Sequence, residues 1–212
     1  PGSGPLRLGV IPTIGPYLLP RLVPGLRACF PEMRLHLRED QTGRLLTALK
    51  AGELDLLVLA LPVEAAGIQT CPLFEEPFLA ALPAGHRLAG QETIAEADLS
   101  GEPVLLLAEG HCLRDQALAL CRHAGAAEAL GMQAASLATL APMVAGGLGI
   151  TFLPQMAVGE VTGKEEGVVL RPFAPPVPTR TIGQAWRAAS ARGRLYQRIG
   201  ALIAETAGAA AG

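Results

Sequence analysis

Aromatic residues are scarce: Trp, Tyr and Phe together make up 4% of the 212 residues. Charged residues are few as well, 17%, and nearly balanced, with nineteen acidic against seventeen basic side chains and a formal net charge of −2. No Lys/Arg-rich run exists, so the chain lacks the dense positive surface that holds DNA phosphates, and any nucleic-acid contact is expected to belong to another segment. Nor is there a run of roughly 18 consecutive apolar residues, the length a membrane span needs. The longest stretches, such as 54–62, are broken by Asp55 or bounded by Glu53 and Glu64, which excludes a transmembrane helix. No charged segment followed by an apolar one opens the chain, so a cytoplasmic protein, or a fragment of one, is expected. The four cysteines, Cys29, Cys71, Cys112 and Cys121, form no CxxC pair, and His36, His86 and His123 read as surface or junction residues without ligand spacing. Neither a metal nor a cofactor is expected. Gly146-Gly147-Leu148-Gly149 is followed by no Lys-Ser/Thr and ends a helix before a strand, which leaves a nucleotide site unsupported.

Half of the residues are hydrophobic, and the abundance of Ala, Leu, Gly and Pro suits helices packed on a parallel sheet better than a β-sandwich. The expected class is α/β. At roughly 100–200 residues per domain the length allows one large domain or two small ones, with an ample core. Strand and helix signals alternate. Residues 6–11 read as a buried strand, Pro16 suits the first turn of a helix running to about Cys29, and 34–39 alternate as a second strand. Thr42 is expected to cap a helix that presents Leu45, Leu46 and Leu49 on one face and stops at Gly52, before a third strand at 54–60. The pattern then restarts, with strands at 78–82 and 103–108, a helix opened by Gly110-His111-Cys112 and ending near Gly125, a short strand at 132–135, a helix capped by Ser136, and a strand at 149–153. A Pro-rich extended stretch, 172–178, precedes a strand at 180–188 and a closing helix from 192 to about 206. The restart and the Pro-rich return predict two α/β subdomains, residues 1–75 with 177–212 and residues 76–176, joined by two crossing strands.

In such sheets ligands sit beyond the carboxyl ends of the strands, where helix N-termini converge. Thr13, Thr42, Cys112 and Ser136 all fall at strand-to-helix junctions, although Ser and Thr favour such places as caps regardless of function. Cys112 is expected in the first turn of its helix, where unpaired backbone N–H groups and the helix dipole favour thiolate, the form that attacks a peroxide O–O bond. His111 and Arg114 are close in sequence, and Asp115 opposes the effect. Cys121 lies nine residues further on, which in a continuous helix means a rise of about 13.5 Å and a rotation near 180°. Bridged cysteines need Cα atoms within about 7 Å. The two thiols therefore never pair, or they pair only when the segment between them unravels. Cys29 and Cys71 read as small buried hydrophobes.

The run Glu109-Gly110-His111-Cys112-Leu113-Arg114-Asp115-Gln116-Ala117, followed by Cys121, resembles the OxyR family, the hydrogen-peroxide sensors among LysR-type transcriptional regulators. Residues 11–20, 136–145, 149–154 and 180–183 are similar to the family's first junction, effector core and late strand, so the resemblance covers about 6–203. It implies a periplasmic-binding-protein-like effector domain of two Rossmann-like subdomains with two crossovers. It further implies that Cys112 is the peroxidatic cysteine and Cys121 the resolving one, that Thr13, Thr42 and His111, with Arg180 assisting, surround the peroxide, and that the chain senses rather than turns over its oxidant. The partners it implies are hydrogen peroxide, a second copy in a dimer, a tetramer in the full-length protein, RNA polymerase, and promoter DNA through an N-terminal winged helix-turn-helix not included in this sequence. The rival readings are a LysR-type effector domain that binds a small metabolite, a thiol peroxidase, and a periplasmic solute-binding protein.

Overall fold

The computed structural model describes residues 4–162 and 166–209. Its internal packing divides the chain into two compact units, Pro1–Glu75 with Thr181–Gly212, and Glu76–Arg180.

The first unit begins with the alternation the sequence shows. β1 (Gly4–Val10) buries Leu6, Leu8 and Val10 completely, and it lies parallel to both β2 (Met33–Glu39) and β3 (Leu56–Leu61). Helix α1 (Gly15–Cys29) carries Pro16 in its first turn and buries Leu18, Leu22 and Leu26, one stripe at a spacing of four. Helix α2 (Thr42–Lys50) turns Leu45 and Leu49 inward. With α2 and β3 packed against it, Gly9 has no room for a side chain: a Cβ there would come within 2.7 Å of Leu57 and 2.9 Å of Leu45. Later in the chain β4 (Ile68–Pro83) and β9 (Thr179–Arg187) complete this sheet, β9 antiparallel to β3, and the closing helix α6 (Gly193–Gly208) buries Leu195, Ile199 and Ile203 beside α1.

The second unit holds β5 (Pro103–Leu107), α3 (Cys112–Ala124), β6 (Ala127–Ala134), α4 (Leu137–Ala145), β7 (Thr151–Pro154), the short α5 (Val158–Thr162) and β8 (Val168–Pro172). β5 and β6 pair in parallel with an irregularity between Val104 and Leu106, while β7 and β8 flank the second half of β4, both antiparallel to it. The strand order reads β2-β1-β3-β9-β4-β7, with β8 also on β4, and β4 and β9 each pass through both units. Ser136 caps α4 as expected, its side chain accepting from Thr139 N at 3.3 Å.

Several expectations need correction. β4 starts ten residues before the expected Phe78, because Ile68–Pro77 pairs along its backbone despite Pro72, Glu75 and Glu76. β6 spans eight residues rather than the short piece at 132–135. Strand β8, just before the Pro-rich stretch, lies where no strand is expected, since its half-exposed VVLRP carries no clean alternation. Gln41, not Thr42, occupies the cap position of α2; Thr42 is the first helical residue. Cys29 is exposed and Cys71 half-buried, so neither is the buried hydrophobe expected; Cys29 ends α1 on its outer side.

Candidate functional site

The redox candidate is built by the β5–α3 junction. β5 delivers the chain outward, and Gly110 takes φ +90°, a left-handed conformation that a side chain disfavours. His111 follows in extended geometry as the cap residue, accepting from Arg114 N at 3.0 Å, and Cys112 is the first residue of α3. The Cys112 thiol therefore belongs to the turn whose N–H groups have no intrahelical acceptors, where negative charge is favoured. It is half-buried and forms no disulfide. His111 is buried, and that burial pushes its imidazole pKa down. At neutral pH its ring is neutral, with one donor and one acceptor.

Cys121 lies in the same uninterrupted helix, also outside any disulfide and only 3% exposed. Burial pushes its thiol pKa up to about 11, with the Glu128 charge adding in the same direction. Nine helical residues hold the two Cα atoms about 13.5 Å apart. One thiol is thus placed where thiolate is favoured and the other where it is suppressed. Gly125, at φ +69°, ends the helix by donating its N–H to Cys121 O.

Arg114, a neighbour of Cys112 in sequence, is turned to another task. Its Nη1 donates to Leu107 O at 3.0 Å and its Nη2 to Glu128 Oε1 at 2.8 Å, tying the first turn of α3 to β5 and β6. Gln116 was not singled out from sequence, yet its Oε1 is buried with no hydrogen-bond partner. It sits one turn after Cys112, and helical side chains lean toward the N-terminus, which directs it to the same face as the thiol. Its place in the run around Cys112 was the only signal available.

The remaining candidates are distributed over both units. In the first, Thr13 is 2% exposed in the turn between β1 and α1, and Thr42 opens α2 with a buried Oγ1 that has no hydrogen-bond partner. Because β1 and β2 are parallel neighbours, both threonines stand at the carboxyl edge of that sheet, the usual ligand edge. In the second, Arg180 is fully buried, its Nε and Nη2 each 2.8 Å from Glu76 Oε2, while Glu76 Oε1 accepts from Met156 N at 2.8 Å. Among the described residues no group of three His, Cys, Asp or Glu side chains could hold a metal ion.

Comparison with known proteins gives these residues a family. The model of the LysR substrate binding domain matches residues 1–208. A probable hydrogen peroxide-inducible genes activator of Mycobacterium leprae is 48% identical over 206 residues, covering 97% of this chain and 66% of that protein. The chain thus spans slightly less than two thirds of this relative. The reduced form of the OxyR regulatory domain from Pseudomonas aeruginosa superposes with a TM-score of 0.86 at 39% identity, over 97% of both chains. An oxidised form of OxyR superposes equally well, TM-score 0.86, at 46% identity over 96% of both. The chain is a member of the LysR substrate-binding domain family, of the kind found as the regulatory domain of OxyR.

Proposed function

We propose that this domain senses hydrogen peroxide for a transcriptional activator, with Cys112 the sulfur that is oxidised and Cys121 the sulfur that resolves it. The observation that carries the reading is the placement of both thiols on one helix, Cys112 at its first position and Cys121 buried nine residues on. In the first step the Cys112 thiolate attacks one peroxide oxygen: an S–O bond forms, the O–O bond breaks, hydroxide leaves, and the sulfur becomes a sulfenic acid. In the second, Cys121 attacks that sulfur, forming the S–S bond and expelling the hydroxyl as water.

Peroxide has neither charge nor bulk to grip, so hydroxyls, amides and backbone N–H groups are the means of orienting it. In the unit that carries Cys112, neutral His111 and the Gln116 carbonyl oxygen are the groups we assign to that task; Thr13 and Thr42, at the sheet edge of the other unit, are assigned to it by the family resemblance. Arg180 serves less directly, since its guanidinium is committed to Glu76. The second step requires α3 to open between the cysteines, and the opened conformer is the signal. The two packing units are read as the two subdomains of the effector fold, and the sensing is stoichiometric rather than catalytic. In the full-length protein the change passes through a dimer or tetramer to a DNA-binding segment outside this chain and to RNA polymerase, in the cytoplasm.

Peptide mapping after one equivalent of peroxide, with a sulfenic acid trap present, tests the assignment. The expected result is a trapped adduct on Cys112 in Cys121→Ser and a Cys112–Cys121 linkage in the parent chain. A domain that binds a small metabolite would gain no oxygen and lose no thiols. A thiol peroxidase supplied with thiol reductant would consume peroxide far in excess of protein.

A further inference from the structure

We propose that Glu128 accepts the Cys121 thiol proton in the second oxidation step, so that Cys121 attacks the Cys112 sulfenic acid as a thiolate; the proposal rests on the two-cysteine reading above. Arg114 and Cys121 are seven residues apart and therefore on one face of α3. Arg114 binds the Glu128 carboxylate at 2.8 Å, so that carboxylate is held on the helix face that also carries Cys121. The chain turns back directly after the helix, with Gly125 N and Ala126 N both donating to Cys121 O, so Glu128 enters β6 beside the last turn. Its charge is felt at the Cys121 sulfur.

Of the other ionisable groups around Cys121, His123 follows two residues on, about 200° round the helix on its exposed side. Arg122 and Arg114 are cations. β5 has no ionisable side chain, and Glu128 is the one such residue of β6. In the turn Glu96–Leu99, which also packs on α3, the Asp98 carboxylate accepts from Ala95 N at 2.9 Å; Glu96 lies in its first turn. Glu102, where β5 begins, is held by His86 at 2.9 Å and Arg87 at 2.7 Å. Arg114 lies within the segment that must unravel, so opening α3 withdraws the cation that pairs with Glu128 as the attack begins. The step balances: Cys121 S–H gives its proton to the carboxylate, the S–S bond forms as the Cys112 S–O bond breaks, and the departing hydroxide takes up a proton to leave as water.

The test is quenched-flow oxidation of the whole chain, reading sulfenic acid by trapping and disulfide by alkylation. Glu128→Gln keeps an oxygen that accepts from Arg114 but cannot take a proton. Sulfenic acid should form at the parental rate, whereas disulfide closure at pH 7 should slow by at least about tenfold. That closure should recover as pH rises toward the thiol's own ionisation, and Glu128→Asp should restore much of the rate at pH 7. Closure at the parental rate with an unchanged pH profile overturns the role of Glu128 alone, as does slower closure with an unchanged profile, the signature of altered packing. Failure of the parent chain to form any sulfenic acid overturns the two-cysteine reading, and this proposal with it.

Discussion

At the scale of single residues the two thiols are separated by environment more than by sequence. Cys121, with its pKa near 11, is protonated at neutral pH in the folded helix, so alkylation of the reduced chain at pH 7.5 should modify Cys112 well before it. Differential labelling with a small alkylator reads this directly; equal rates would contradict the burial argument. Thr42→Val removes a buried hydroxyl that has no protein partner, so it should cost little stability while slowing sulfenic acid formation at Cys112. Stopped-flow oxidation beside urea unfolding separates the two effects. Glu76→Gln, by contrast, removes the carboxylate charge 2.8 Å from the buried Arg180 guanidinium, so it should destabilise the fold far more than Thr42→Val, which urea unfolding would register. His111 gives a pH dependence of definite sign. Its folded pKa lies below the unfolded value of about 6.5, so the unfolded state takes up the proton first. Stability attributable to His111 is intact above that value and falls as pH drops below it; His111→Gln should flatten the dependence of unfolding free energy on pH just below about pH 6.5.

At the scale of elements α3 decides the behaviour. Leu113, Ala117 and Leu120 are buried along it, and opening the helix exposes leucines at about 1.5–3 kcal/mol each. Disulfide formation must offset that loss, so a less deeply anchored helix should close its disulfide faster. Leu120→Ala is expected to accelerate the second stage without changing the first, which quenched-flow measurement resolves. How far such elements can be read from sequence depends on where their determinants lie. β1, α1, β2, α2 and β3 were legible because each carries its own period, as in the Leu18, Leu22, Leu26 stripe. The first part of β4, residues 68–77, was not, because it is held by backbone pairing and carries no pattern of its own, although its second part, at 78–82, was legible. The junction that presents Cys112 was legible from Gly110 and the residues after it. The Arg114–Glu128 tie was not, since it joins a helix to a strand fourteen residues on, and neither was the exposure of Cys29, which depends on which side of α1 faces the sheet.

At the scale of the whole molecule, the fold offers a single covalent event a route to a large response. The reduced state is the one in which α3 is continuous and Cys121 is sealed in the core of its unit. A Cys112–Cys121 disulfide cannot keep that helix, because nine helical residues hold the two Cα atoms about 13.5 Å apart and a disulfide needs about 7 Å or less between them. Under the proposed two-cysteine chemistry, oxidation therefore selects between two conformers. The account rests on the claim that bond formation and helix opening are one event. Amide hydrogen exchange across Cys112–Ala124, followed by mass spectrometry before and after one equivalent of peroxide, tests it most directly. The account predicts protected amides throughout the reduced helix, loss of protection between Cys112 and Cys121 that appears together with a Cys112–Cys121 linkage, and recovery on reduction. A disulfide formed with α3 still protected, or a linkage from Cys112 to Cys29 or Cys71, would contradict it.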